Sequence, residues 1–134
     1  MFISETQVRV RYAETDRMGY AYYGNYATYF EVGRVEALRE LGMSYKELED
    51  SGVILPVREL HIRYHKPAFY DDLLTIKTSI AELPQVRIKF LYETYNEKGD
   101  KLNDGETTLV FIDTKSGKPC EAPGWFIEKI KGYY

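Results

Sequence analysis

The fifteen residues Tyr12-Ala-Glu-Thr-Asp-Arg-Met-Gly-Tyr-Ala-Tyr-Tyr-Gly-Asn-Tyr26 hold the densest chemistry in the chain. Asp16 supplies a carboxylate, which can attack a carbonyl carbon or draw a proton from water. The segment runs into a long helical pattern. The first N–H groups of a helix, here those near Tyr23, Gly24 and Asn25, have no acceptor within it, and the helix dipole adds partial positive charge at that end. Such a helix start binds anions. It equally stabilises the oxyanion that forms when a carbonyl is attacked, where one donor is worth roughly 3–4 kcal/mol. The same residues also have plainer uses, with Asp16 ordering a turn and Asn25 capping the helix. Residue type and spacing leave both uses open.

Other candidates are weaker. Gly19-x-x-x-x-Gly24 has the spacing of a phosphate-binding P-loop, but Asn25 and Tyr26 stand where that motif needs Lys and Ser or Thr. His61 and His65 fall in the alternating run Leu60-His-Ile-Arg-Tyr-His-Lys66. On a strand their Cα atoms would lie ~13 Å apart, too far to share an ion, so no metal site is expected. No serine sits in a Gly-x-Ser-x-Gly elbow. Arg63 shares its strand face with the two histidines, Arg87 and Lys89 share another face, and Lys66 ends a strand. These four cations read either as a seat for a polyphosphate or as solvated surface charge. Five of the 13 tyrosines fall between residues 20 and 29. Phenols have apolar bodies and hydrogen-bonding tips, which suits a half-wet pocket or an interface as well as ordinary packing.

What must position these groups is a single domain spanning residues 1–134, a length that buries a real core. The formal charge of −3 argues against a nucleic-acid partner. The lone Cys120 excludes an internal disulfide framework and a multi-cysteine zinc site. No run approaches the ~20 apolar residues of a membrane span. Met1 to Val10 lacks the basic-then-apolar order of a leader, so a cytoplasmic location without membrane insertion is expected.

Thr6 to Tyr12 alternates Val8, Val10 and Tyr12 against Gln7, Arg9 and Arg11, which predicts a strand. Tyr26, Tyr29, Phe30, Gly33, Ala37 and Leu41 form one helical stripe, and Gly42 is a plausible stop. Val32 and Val35 lie off that stripe, as in a helix covered on more than one side. Ser44 to Glu47 fits a capping box, predicting a short second helix to about Ser51. Four strand-like runs follow, at 54–66, 72–83, 86–95 and 106–113, and Pro123 to Ile130 reads as a short closing helix. Strand, long helix and then four antiparallel strands is an α+β order, with the helix packed on one sheet face.

The string Tyr12-x-Glu-Thr-Asp16-x-x-Gly19-x-x-Tyr22-Tyr23-x-Asn25-Tyr26, with Glu31-x-x-Arg34 on the helix, resembles the hotdog-fold acyl-CoA thioesterases. The likeness is to the 4-hydroxybenzoyl-CoA thioesterase family, including its Tol-Pal-associated branch. Tyr64-His-Lys-Pro67-Ala-Phe-Tyr-Asp71-Asp72 resembles that family's loop between two strands, and the likeness runs from about residue 7 to 125. The resemblance implies a central helix wrapped by an antiparallel sheet of about five strands. It also implies homodimers joined sheet edge to sheet edge, or homotetramers built from them. By the same likeness Asp16 matches the catalytic aspartate, and Tyr23 and Gly24 match the helix start whose N–H polarises the thioester carbonyl. Tyr12 matches a tyrosine near the carboxylate. Some members carry histidine where this chain has Tyr23, and others carry tyrosine; the absence of the histidine puts short-chain acyl specificity in doubt and leaves room for aromatic or longer acyl groups.

The expected activity is hydrolysis of an acyl-CoA to acid and thiol, without cofactor or metal, acyl-CoA being the substrate. Tyr12, Gly19, Asn25 and Tyr26 are expected around the substrate, and Arg63, Lys66, Arg87 and Lys89 against the CoA phosphates. A hotdog dehydratase relies on a histidine, and neither His61 nor His65 is expected near the helix start. A non-catalytic acyl-thioester or lipid-binding module, and a scaffold presenting tyrosines to a protein partner, are the alternatives from other classes.

Overall fold

The computed structural model describes residues 1–134. Strand β1 (Phe2–Arg9) leads through a one-turn 3-10 helix at Tyr12–Glu14 and a loop to a second such turn at Tyr23–Asn25. Helix α1 (Tyr26–Glu40) continues directly from it, and α2 (Tyr45–Asp50) follows. The remaining elements are β2 (Val53–Ile54), β3 (Val57–Tyr64), β4 (Leu73–Ile80), β5 (Arg87–Tyr95), β6 (Lys101–Val110), β7 (Ile112–Asp113) and α3 (Gly124–Ile130). Five strands form one antiparallel sheet in the order β1-β4-β5-β6-β3, and β2 pairs with β7 apart from it.

Helix α1 buries Tyr26, Tyr29, Phe30, Gly33, Arg34, Ala37 and Leu38, which takes in most of the expected stripe. It lies against β1, β4 and β5 and leaves the β6–β3 side of that face less covered. Packing is close where side chains are small. A Cβ on Gly33 would stand 2.6 Å from Thr78 Oγ1, and one on Gly105 would stand 2.7 Å from both Phe30 Cε2 and the His61 carbonyl. The Phe30 and Tyr92 rings stack with centroids 4.2 Å apart. Val32 and Val35 are half-buried, and Leu41 is also only half-buried.

Helix ends follow the expected chemistry. Gly42, with φ of 79°, follows α1 in the left-handed region that glycine tolerates. The Ser44 side chain accepts from the Glu47 N–H to start α2. Other boundaries differ from expectation. β1 begins at Phe2 and ends at Arg9, so Tyr12 falls in the 3-10 turn and is exposed rather than inward-facing. Pro56 separates β2 from β3, because a proline has no N–H to give to a ladder. β6 begins five residues before the expected Glu106; its Lys101–Gly105 half is polar and glycine-containing and carries no apolar alternation. No helix is long and apolar enough to cross a membrane.

Candidate active site

The loop between β1 and α1 is built from hydrogen bonds, and Val10 and Ala21 are its only buried residues before the helix. Asp16 starts the turn. Its Oδ1 accepts the N–H groups of Met18 at 2.9 Å and Tyr20 at 3.2 Å. Its own N–H donates to the Tyr20 carbonyl at 2.8 Å, and its carbonyl accepts from the Gly19 N–H at 3.0 Å. Gly19 has φ of 84°, a conformation that other residues adopt only with strain. The turn-ordering use of Asp16 is therefore real, and it occupies one carboxylate oxygen; Oδ2 takes no hydrogen bond from the chain. The loop is pinned to the segment after β3 by Ala21 N–H donating to the Ala68 carbonyl at 2.8 Å.

The helix start presents two unpaired donors. Asn25 N–H donates to the Tyr22 carbonyl and Tyr26 N–H to the Tyr23 carbonyl, but no acceptor in the chain takes the N–H of Tyr23 or Gly24. The Tyr64 hydroxyl donates to the Tyr23 carbonyl at 3.0 Å and ties this turn to β3. A Cβ on Gly24 would meet the Tyr22 ring at 2.6 Å, so a larger residue there would make the exposed Tyr22 side chain swing aside. Asn25 sits at the N-cap position without capping: its side-chain amide donates instead to the Glu14 carbonyl at 2.7 Å.

Asp16, Tyr23, Tyr26, Tyr64, His65 and Lys66 line a cavity of about 270 Å³, with Met18, Tyr20, Ala21 and Pro67 completing its wall. Burial pushes the Tyr26 phenol up to about 12, so it stays protonated as a donor at neutral pH. Tyr23 also lines an adjoining apolar groove with Gly24, Ala27, Leu60, Ile62 and Tyr64. The carboxylate and the helix start thus meet at one opening, with Gly24 on the groove side of Tyr23.

Several expected neighbours lie elsewhere. Tyr12 is 78% exposed, packs edge-on against Tyr70 with centroids 5.6 Å apart, and does not line the cavity of this chain. Gly19 and Asn25 shape the loop and do not line the cavity either. The four cations do not form one patch. Lys66 is at the cavity, 3.7 Å from Asp100. Arg63 lies opposite Asp104 on the sheet face turned from α1, as the register with inward-facing Gly105 requires. Arg87 and Lys89 sit farther along β5 with Glu59 and Glu82. Alternation reads which face a strand residue takes, but not how far apart antiparallel neighbours fall along the sheet.

His65 also lies away from its expected place, and Glu14 carries a role that its residue type does not announce. β3 ends at Tyr64, so His65 is beyond the strand and reaches the cavity wall near the helix start, contrary to expectation. Its ring Nε2 is held 2.8 Å from Oδ2 of Asp104, on the sheet face away from α1. The hydrogen bond from His65 in turn helps hold the Asp104 carboxyl below the usual range. Glu14 was read as part of the motif without a role. Its carboxylate accepts from Arg11 N–H at 2.9 Å, from Arg11 Nε and Nη2 at 2.9 and 2.7 Å, and from the Tyr29 hydroxyl at 2.9 Å. Burial opposes its ionisation, but these bonds outweigh burial and hold the carboxyl below its ordinary value. Arg11 three residues before it is a local partner, but the bond to Tyr29, fifteen residues on, leaves no local signal.

The chain was compared with known proteins. The thioesterase-like superfamily matches residues 10–130. The Bacillus subtilis protein YneP is 34% identical over 121 residues, covering 90% of this chain and 88% of that one. The acyl-CoA thioester hydrolase YbgC of Escherichia coli is 32% identical over 124 residues, covering 92% of each. Among solved structures, a DHNA-CoA thioesterase from Staphylococcus aureus superposes with a TM-score of 0.91 at 39% identity, covering 99% of this chain and 89% of that chain. With the five-stranded antiparallel sheet, the long helix and the matched residues in agreement, the chain belongs to the thioesterase-like superfamily and has its hotdog fold.

Proposed function

We propose that this thioesterase hydrolyses acyl-CoA thioesters at the cavity between Asp16 and the start of α1. One observation supports the reading: Asp16, with one carboxylate oxygen free, lines the same cavity as Tyr23, whose N–H is unpaired at the helix start, and Gly24, also with an unpaired N–H, lines the groove that adjoins it. The thioester carbonyl oxygen accepts from the Tyr23 and Gly24 N–H groups, where the helix dipole favours the charge that develops. Asp16 Oδ2 then works by one of two routes. As nucleophile it bonds to the carbonyl carbon, the C–S bond breaks to release the CoA thiolate, and water cleaves the resulting anhydride. As base it takes a proton from the water that attacks the carbon. Both routes consume one water and yield the acid and the thiol. Single turnover in ¹⁸O-labelled water tests the first route: label in Asp16 establishes it, because water that attacks the anhydride at Asp16 Cγ leaves its oxygen there, whereas the general-base route leaves none.

Asp16→Asn is expected to lower kcat by about 10³-fold while acyl-CoA still binds. Thiol release and equilibrium binding measure the two effects. Turnover within tenfold of wild type would remove Asp16 from the chemistry, and binding without turnover in the wild-type protein would instead favour the non-catalytic module.

The phenol-lined, largely apolar wall suits a flat aromatic acyl group with polar substituents. The name of the Staphylococcus aureus relative points the same way. A thiol-release panel of acetyl, medium-chain, long-chain and aromatic CoA esters tests this, with the aromatic ester expected to give the highest kcat/KM. The position of Lys66 on the cavity wall supports it as the cation that meets a CoA phosphate.

A homodimer is part of the same proposal. β3 is a sheet edge whose residues are mostly exposed, and Leu60, Tyr64 and Tyr23 leave the groove beside it open to solvent. An eight-residue edge strand next to an apolar groove is suited to pairing with a second copy. Sedimentation at micromolar concentration is expected to give twice the mass of the chain or a multiple of that.

A further inference from the structure

Asp16 and the Tyr23–Gly24 turn reach the cavity and its adjoining groove on two pieces of chain. One is a loop leaving β1, and the other is the first turn of a helix. Catalysis of this kind is steeply sensitive to their separation, and a 1 Å misplacement costs about 10²-fold. Bonds within the loop, such as Asp16 N–H to the Tyr20 carbonyl, fix its shape but not its place against the helix. Glu14 bonds to both pieces. Its carboxylate reaches forward to the Tyr29 hydroxyl on α1 and back to the backbone and side chain of Arg11 at the exit of β1. Its carbonyl accepts the Tyr22 N–H at 2.8 Å and the Asn25 side-chain amide at 2.7 Å, from the residues flanking the Tyr23–Gly24 pair.

The Glu14 side chain is only 12% exposed and does not line the cavity, so it does not touch substrate. We propose that Glu14 is a positioning residue, holding Asp16 in fixed register with the helix-start N–H groups through Tyr29 and Asn25; this rests on the roles proposed above for those groups. The arrangement is directional. The Tyr29 ring is fully buried, and its hydroxyl donates to a carboxylate that Arg11 also grips, so neither partner can turn without breaking a charge-assisted bond. The site is set from behind, by groups the substrate never meets.

The test is steady-state thiol release by Glu14→Gln, Tyr29→Phe and Asn25→Ala at 25 °C, with circular dichroism and thermal denaturation showing each variant folded. Glu14→Gln is expected to lower kcat about 30- to 100-fold with KM within about twofold of wild type. Tyr29→Phe, which keeps the buried ring, is expected to lower kcat about 5- to 10-fold. The double variant is expected to be no slower than Glu14→Gln alone, because both changes cut one connection. Glu14→Asp keeps the charge but withdraws the carboxylate by one methylene, and is expected not to restore kcat. Folded variants with wild-type kcat and only a lower Tm would show a structural role and overturn the proposal. Full recovery in Glu14→Asp would do the same. Should Glu14→Gln fail to fold, Tyr29→Phe and Asn25→Ala carry the test. Asp16→Asn is run alongside: if that variant stays active the site reading itself fails, whereas an inactive Asp16→Asn with normal kcat in the Glu14 series overturns only the positioning role.

Discussion

The ring of Tyr29 belongs to one region of the molecule and its hydroxyl to another. The ring lies in the helix–sheet core with Tyr26 and Phe30, where contact is apolar and close. The hydroxyl serves the loop of residues 11–25, which buries little and is held by hydrogen bonds. Contacts in the core are cheap one by one and decisive in sum, and they depend on volume. Bonds in the loop are few and depend on direction. The core therefore sets how stable the protein is, while the loop sets where two reactive groups stand. Substitutions in the two regions should leave different signatures.

The largest test on the core side is Gly105→Val. Even its Cβ would collide with Phe30 and the His61 carbonyl. A loss of about 3 kcal/mol is expected in denaturant unfolding. Turnover per folded molecule should stay within about twofold of wild type. A large fall in kcat with stability intact would break the division between the regions.

A second test uses pH. The Glu14 carboxyl lies below its ordinary value when folded, so the stability it contributes is complete above the unfolded value. That stability is lost as pH falls through the folded value. The Tm gap between wild type and Glu14→Gln is therefore expected to be widest near neutrality and to close as pH falls through the lowered folded value of Glu14. A gap that persisted in acid would mean that shape, and not charge, holds the loop.

Lys66→Ala should have the smallest effect. The Lys66 side chain is 60% exposed and its partner Asp100 is 3.7 Å away, so little stability is at stake. An increase of about three- to tenfold in KM for acyl-CoA is expected at low salt, with kcat unchanged, shrinking as salt rises. An unchanged KM would take Lys66 out of substrate binding.

Legibility in the sequence followed the same division. Period-2 and helical patterns located the central helix and most strands, because burial of volume writes itself into residue type. The start of β6 escaped, since Lys101–Gly105 contains Asn103, which is fully buried yet polar. At the site, residue types located Asp16 and the helix start. They could not show that Asn25 would turn to Glu14, that Tyr12 would face Tyr70, or that His65 would leave its strand. Each of those depends on a partner distant in sequence, where spacing carries no information. Arg87 and Lys89 stand apart from Lys66 in this chain for the same reason.

Sheet order has a consequence for how the protein comes into being. β4, β5 and β6 are joined by short turns and pair with their neighbours in sequence, so their ladders close at little entropic expense. β1 finds its partner β4 only after the whole of α1, α2 and β3 has intervened. A meander is thus the natural nucleus, and the amino-terminal strand docks late. Asp16 follows that strand through the Tyr12–Glu14 turn, so docking of the strand after the meander would set the reactive acid last.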